Sequence, residues 1–315
     1  MNIPTLGYAC INNTLADNEI VVNRSMMKKT FQTKGITFAS ETALKNVTDL
    51  LKIIQWNISN GISLYRMSSD MFPWMSEYEF DDLPDIAQIR KLLAKAGSIV
   101  RDNGHRLTFH PGPFNVLASP NESVVEKTLK ELRQHGEIMD MLDLPRTPFA
   151  KINIHVGGAY GDKAAAIQRF IANFKKLPDT ARLRLTVEND DKANMFSIND
   201  LMKIHEAIGI PLVFDYLHHR FCTGDLTEEE ALELAVSTWP KGITPIVHFS
   251  SAKRKYEDRK AVEAAHADFI YSPVKTYGHT LDVMLEAKAK EAAVEKYIKD
   301  FSTPKKAATP AYFAK

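Results

Sequence analysis

Cysteine is almost missing from this 315-residue chain: Cys10 and Cys222 are its only two. Two isolated thiols exclude a disulfide-stapled secreted scaffold and a cysteine-built zinc site, and they suit a reducing cytosol. Long apolar runs are missing too, so no membrane span is expected. The first residues, Met1 to Tyr8, have no basic segment and no long apolar segment, so no signal peptide is expected and a cytoplasmic protein is. Net charge is lacking as well. Forty basic residues face 39 acidic ones, for a net +1. A nucleic-acid partner would therefore have to be held by a local basic patch. No glycine-rich dinucleotide fingerprint follows the first strand-like run, and there is no internal repeat or interdomain linker.

What is present is a set of short apolar runs, each ending in a residue that can ligate a metal. They are Leu107 to His110, Lys151 to His155, Leu185 to Glu188, Val213 to Asp215, Pro245 to His248 and Asp282 to Glu286. After Asp215 the chain continues Tyr216-Leu217-His218-His219. Packing alone does not call for a carboxylate or imidazole at the end of a buried strand, because burying one unpaired is costly. A polynuclear metal site at the C-terminal mouth of a parallel β-barrel does call for them.

Two further strand-like runs, Leu6 to Ile11 and Leu64 to Met67, bring the series to eight. Helical spacing fills most of the gaps. A helix is expected from about Ser40, as its cap, through Ile58 to a stop at Gly61, and another over Asp85 to Asp102. Asn121 or Ser123 caps a third, to about Leu142. Lys163 to Lys175, Ser197 to Ile208, a capping box of Thr227 with Glu230, and Glu291 to Phe301 follow. Asp17 to Phe38 reads as a long polar loop. Strict alternation of eight units predicts an α/β fold, a (β/α)8 TIM barrel forming a single domain over residues 1–301. Residues 302–315 read as a loose C-terminal tail. A doubly wound open sheet is the alternative.

The candidate ligands at the mouth are His110, His155, Glu188, Asp215, His218, His248, His266 and Glu286. Carboxylates can bridge two cations, and neutral imidazoles fix each one singly. A nitrogen and oxygen set without thiolate suits Zn²⁺, Mn²⁺, Fe²⁺ or Co²⁺ better than Ca²⁺. Two or three such ions would activate a water and stabilise the leaving oxygen of a phosphodiester. Taken singly, His248 could be a core histidine, and Tyr8 and Asn12 could be rim packing. His105, His135, His205 and His279 read as solvated, and His219 as a supporting or surface residue. Arg24, Lys28, Lys29 and Arg66, with Lys253, Arg254 and Lys255, form two basic clusters on mouth-side loops. One such cluster is usually a solvated face, but two on one rim suit phosphate contacts. A metal-dependent sugar isomerase or epimerase on the same barrel, or a damage-binding protein without cleavage, are the other readings.

Six motifs together resemble the UV damage endonucleases, a family on the xylose-isomerase-like barrel. They are Leu6-Gly7-Tyr8, His110-Pro111-Gly112, the His155-to-Gly161 segment, Glu188-Asn189-Asp190, the Asp215-to-His219 segment and Glu286-Ala287-Lys288. The resemblance runs from about Leu6 to Glu291. It implies a metal-dependent DNA repair endonuclease, usually using manganese (zinc, cobalt or magnesium being the other candidates), that nicks damaged duplex immediately 5′ of UV photoproducts; a monomer is expected. Abasic sites are possible further substrates of that activity. By position it implies one metal on His110, His155 and Glu188, and a second on Asp215, His248 and Glu286. A third would fall on His218 and His266, with Glu188 and Glu286 as shared, catalytic carboxylates. Tyr8 and Asn12 would meet the lesion, and Arg66, Lys253 and Arg254 the DNA. The chain departs from the family at three places. Ile246 replaces a lysine that can serve the third metal. Pro113-Phe114 replaces a Gln-Tyr probe with two apolar wedges. Asp70 stands where some relatives have a histidine.

Overall fold

Short parallel strands carry the fold, which is described here from a computed structural model covering residues 3–301. They are β1 (Leu6–Ala9), β2 (Leu64–Arg66), β3 (Arg106–Thr108), β4 (Ile152–Ile154), β5 (Leu185–Glu188), β6 (Leu212–Val213), β7 (Ile246–Phe249) and β8 (Asp282–Leu285). Between them run α1 (Lys28–Ser59), α2 (Ile86–Asp102), α3 (Glu122–Met141), α4 (Lys163–Phe174), α5 (Ile198–Ile208) and α6 (Glu228–Ser237), and α7 (Glu291–Phe301) follows β8. The strands form two arcs, β3-β2-β1-β8-β7 and β4-β5-β6, with every pairing parallel. Single bridges join the arcs at both seams, Phe109 to Ile152 and Asp215 to His248. The order around the axis is therefore that of a (β/α)8 barrel, as the alternation predicts. The tail expected over 302–315 lies outside the described residues.

Strands β3, β4, β5, β7 and β8 are buried along their whole length, as they must be with helices on one side and the barrel interior on the other. Gly7 lets β1 approach β2: a Cβ there would sit 2.2 Å from the Leu64 carbonyl oxygen. At the closed end Arg106 Nη1 bonds Asp282 Oδ2 at 2.6 Å, and its guanidinium lies 4.7 Å from the Phe149 ring centre. Removing either partner would leave a buried charge, a loss of roughly 3–5 kcal/mol.

Several local expectations need correction. The first long helix starts at Lys28, not Ser40, and is interrupted by a non-helical Gly35. Ser40 is no cap: its hydroxyl donates to Asp85 Oδ2 at 2.7 Å and accepts from the Asp85 amide. The helix is held inward by Ala39, Ala43, Val47, Leu50 and Ile54 at three- and four-residue spacing, within the stretch expected to be helical; the turns added before it, from Lys28, fall in the segment expected to be a loop. Asn121, Ser197 and Thr227 cap their helices as expected. His105 and His135 are buried rather than solvated. His135 Nδ1 donates to the Glu131 carbonyl at 2.8 Å and its ring meets Phe109 edge-on, which holds it inside the core.

Candidate metal centre

Parallel strands bring their C-terminal ends to one rim, and the polar residue closing each strand is delivered there. Glu188, at the end of β5, is the convergence point. His110 Nε2 lies 3.0 Å and His248 Nδ1 3.1 Å from its Oε2. His218 Nδ1 is 3.4 Å from Oε1, and His155 Nε2 is 3.9 Å from Oε2. The donor atoms fall into two sets, each with atoms within 4.8 Å of one another: His110, His155 and Glu188, and Glu188, Asp215 and His248. Glu188 belongs to both.

A second layer fixes these groups. Asn153 donates to Glu188 Oε2 and accepts from the Thr186 hydroxyl at 2.7 Å. His155 Nδ1 lies 3.1 Å from Asp190 Oδ1, which turns Nε2 towards Glu188. Asp215 and Asn189 exchange two hydrogen bonds, of 2.8 and 3.0 Å. One Asp215 oxygen accepts from the His218 amide at 2.8 Å and caps the short helix Tyr216–His219. The other, Oδ2, is buried with no hydrogen-bond donor. An orphaned buried carboxylate oxygen beside two oriented ligands fits a cation, which would offset the cost of its burial.

The electrostatics are those of a site built for positive charge. Burial raises the Glu188 carboxyl, but His248 and His155 more than reverse this and hold it well below the ordinary carboxylate range. Burial lifts Asp215 to about 7 against the pull of His218. Burial drives His248 down to about 4 and lowers His110, which favours the neutral form that ligates. Burial also lowers His218, yet Asp215 and Glu188 push it up to about 10.

The sequence profile of the UV-endonuclease UvdE family matches residues 4–312. The chain belongs to the UV-damage endonuclease family. It is 33% identical over 307 residues to a putative UV-damage endonuclease of Acanthamoeba polyphaga mimivirus, covering 95% of this chain and 92% of that one. It is 34% identical over 300 residues to the UV-damage endonuclease of Schizosaccharomyces pombe, covering 92% of this chain but only 49% of the yeast protein. The crystal structure of SacUVDE superposes with a TM-score of 0.81 at 29% identity, covering 94% of this chain and 96% of that one.

The remaining site residues expected for this family fall in different surroundings. Glu286 closes β8 as expected, but it lies in neither ligand set. Its Oε1 accepts from Arg66 and lies 3.2 Å from His248 Nδ1. His266 reaches Glu286 Oε2 at 3.7 Å, and His218 turns Nδ1 to the Asn189 carbonyl at 2.9 Å. Among the described residues these three form no third ligand set. Ile246 is packed into an apolar cluster and offers no ligand. Tyr8 and Asn12 are fully buried: the tyrosine hydroxyl donates to Asn57 at 2.7 Å and accepts from Asn12 at 2.9 Å. Arg24 is tied to Asp49 at 2.7 Å. Lys253 pairs with Asp268 and Arg254 with Glu263, both at the surface. Phe114 is 87% exposed, and Pro113 beside it is exposed as well. Asp70 is exposed.

One residue was not anticipated from the sequence. Lys151, at the base of β4, is completely buried with Nζ 3.1 Å from His248 Nε2, and burial pushes its amine down to about 7. Its only signal was a lysine directly before an apolar run ending in histidine.

Proposed function

We propose that this chain is a divalent-metal endonuclease that nicks damaged duplex DNA immediately 5′ of UV photoproducts, with manganese as the working ion. The observation that supports this best is Glu188, a single carboxylate shared by two converging ligand sets. His110, His155 and Glu188 would hold one ion, and Glu188, Asp215 and His248 the other. When bound, the ions would supply the charge that activates a water and stabilises the leaving oxygen of the scissile phosphodiester.

The chain's own residues do the positioning. Asn153 and His155 hold Glu188 from two sides, and Asp190 in turn holds His155. The exposed Pro113-Phe114 tip is the wedge that enters the base stack and favours extrusion of the damaged nucleotides, which is cheapest where stacking is already weakened. Lys253 and Arg254 line the phosphate track. Tyr8 and Asn12 would meet a flipped nucleotide only if their mutual hydrogen bond opens, so they serve first as the floor of the rim.

A duplex carrying one photoproduct and an end label tests the proposal. The expected product with Mn²⁺ is a single nick on the 5′ side of the lesion, with a 3′-hydroxyl and a 5′-phosphate. Equal nicking of an undamaged duplex, or binding without any cut, would contradict it.

A further inference from the structure

The Arg66 guanidinium stands at the end of β2, and Glu286 follows β8; these two strands flank β1 on either side. Their side chains meet over that strand in a hydrogen-bonded ion pair, and both are largely shielded, at 14% and 12% exposure. Arg66 is therefore not turned outward to a DNA backbone. Its Nε is buried without a partner, so the guanidinium faces inward with donor capacity to spare. Glu286 is the rim carboxylate whose partner is a guanidinium, a charge that does not titrate away.

The neighbours complete the picture. His266 and His218 are the other groups on this side of the rim, yet with Glu286 they make no ligand set among the described residues. His218 keeps Nδ1 on a backbone carbonyl, and His266 comes no nearer to Glu286 than 3.7 Å. A divalent ion on Glu286 would have to share that carboxylate with a guanidinium, and like charges at close quarters in a shielded site repel strongly. An arginine cannot give up its charge to make room.

We infer that Arg66 takes the place of a third cation in this centre: it holds Glu286 out of metal ligation, so the chain binds two metal ions, and its fixed charge serves the side of the site that they do not reach. Arg66 is thus a positioning residue. The inference rests on the two-ion reading proposed above, and a metal count separates the two.

The experiment is the number of Mn²⁺ ions bound per chain at saturation, by equilibrium dialysis with elemental analysis, for the full chain and three variants. The expected count is two for the wild type, two for Arg66→Lys and two for His266→Ala. Arg66→Met, which frees Glu286, is expected to take up a third, weaker ion, and the double variant R66M/H266A to lose it again. A wild-type count other than two overturns the inference, as does a His266→Ala count of one or an Arg66→Met count that stays at two in folded protein. Should Arg66→Met not fold, Arg66→Gln, which also removes the charge but keeps a polar side chain, takes its place with the same expected third ion and the same overturning result. A wild-type count of zero would remove the metal-centre reading itself, whereas a count of three would leave a metal centre standing and remove the role given to Arg66.

Discussion

Nζ of Lys151 sits 3.1 Å from Nε2 of His248, and both side chains are sealed from solvent. The contact fixes which way the imidazole faces. With Nε2 engaged, Nδ1 is left towards Glu188 and Glu286, at 3.1 and 3.2 Å. Partners of this kind hold a ligating ring in register, and losing one typically weakens metal binding tenfold to a hundredfold. Lys151→Met should therefore raise the Mn²⁺ dissociation constant by about 10–100-fold. A direct Mn²⁺ titration checks this, and an unchanged constant would mean that Lys151 only fills space.

Phe114 offers a different kind of test because it supports nothing inside the protein. Its ring is 87% exposed, so Phe114→Ala should leave the melting temperature unchanged. If the ring stacks against a base, its loss should cost about 1–3 kcal/mol of binding, or roughly 5–150-fold. Affinity for a single-lesion duplex, measured beside thermal unfolding, separates the two effects. Wild-type affinity in the variant would exclude the wedge.

Lys253 and Arg254 should act through charge alone. Each phosphate contact adds about 0.9 to the slope of log affinity against log salt. The double change to alanine should lower that slope by about 2, and it should weaken damaged and undamaged duplex alike. Their ion pairs with Asp268 and Glu263 are at the surface and can be exchanged for phosphate at little cost. A slope identical to the wild type would show that the track lies elsewhere.

His105 sets a pH dependence of stability far from the rim. Burial lowers its imidazole from 6.5 to about 4. The unfolded chain takes up the proton near 6.5 and the folded chain only near 4. Between those values the unfolded state binds more protons, so stability falls as pH falls through this window. The displacement corresponds to roughly 3 kcal/mol lost between pH 6.5 and 4. Denaturant unfolding of His105→Leu across that range should show a correspondingly flatter profile than the wild type. Parallel profiles would remove His105 as the source.

Much of the site was legible in the sequence, because strand ends have a simple logic. A carboxylate or histidine closing a buried run has nowhere to go but the rim, and Glu188, His110, His155 and His248 arrive there for that reason. What the sequence could not show is which charged neighbour each one meets. Arg66 read as a DNA contact because two basic clusters on one rim suit phosphate; its bond to Glu286 depends on β2 and β8 flanking the same strand. Lys151 stood at the head of the run ending in His155 and drew no role, since a fully buried lysine is rare. The Lys28 start of α1 was hidden by polar residues before Gly35, where local composition outweighed a weak apolar stripe.

The shared carboxylate is the centre of the account, and Glu188→Gln tests it most directly. The substitution keeps the shape and can keep the Asn153 contact, but it removes the charge on which both ligand sets depend. Nicking of a single-photoproduct duplex should fall to the uncatalysed background in the variant at any Mn²⁺ concentration, and in the wild type after chelation, with the wild type restored by Mn²⁺. A Glu188→Gln protein that nicks at the wild-type rate, or a wild type that cuts equally well after its metal is stripped, would contradict the account.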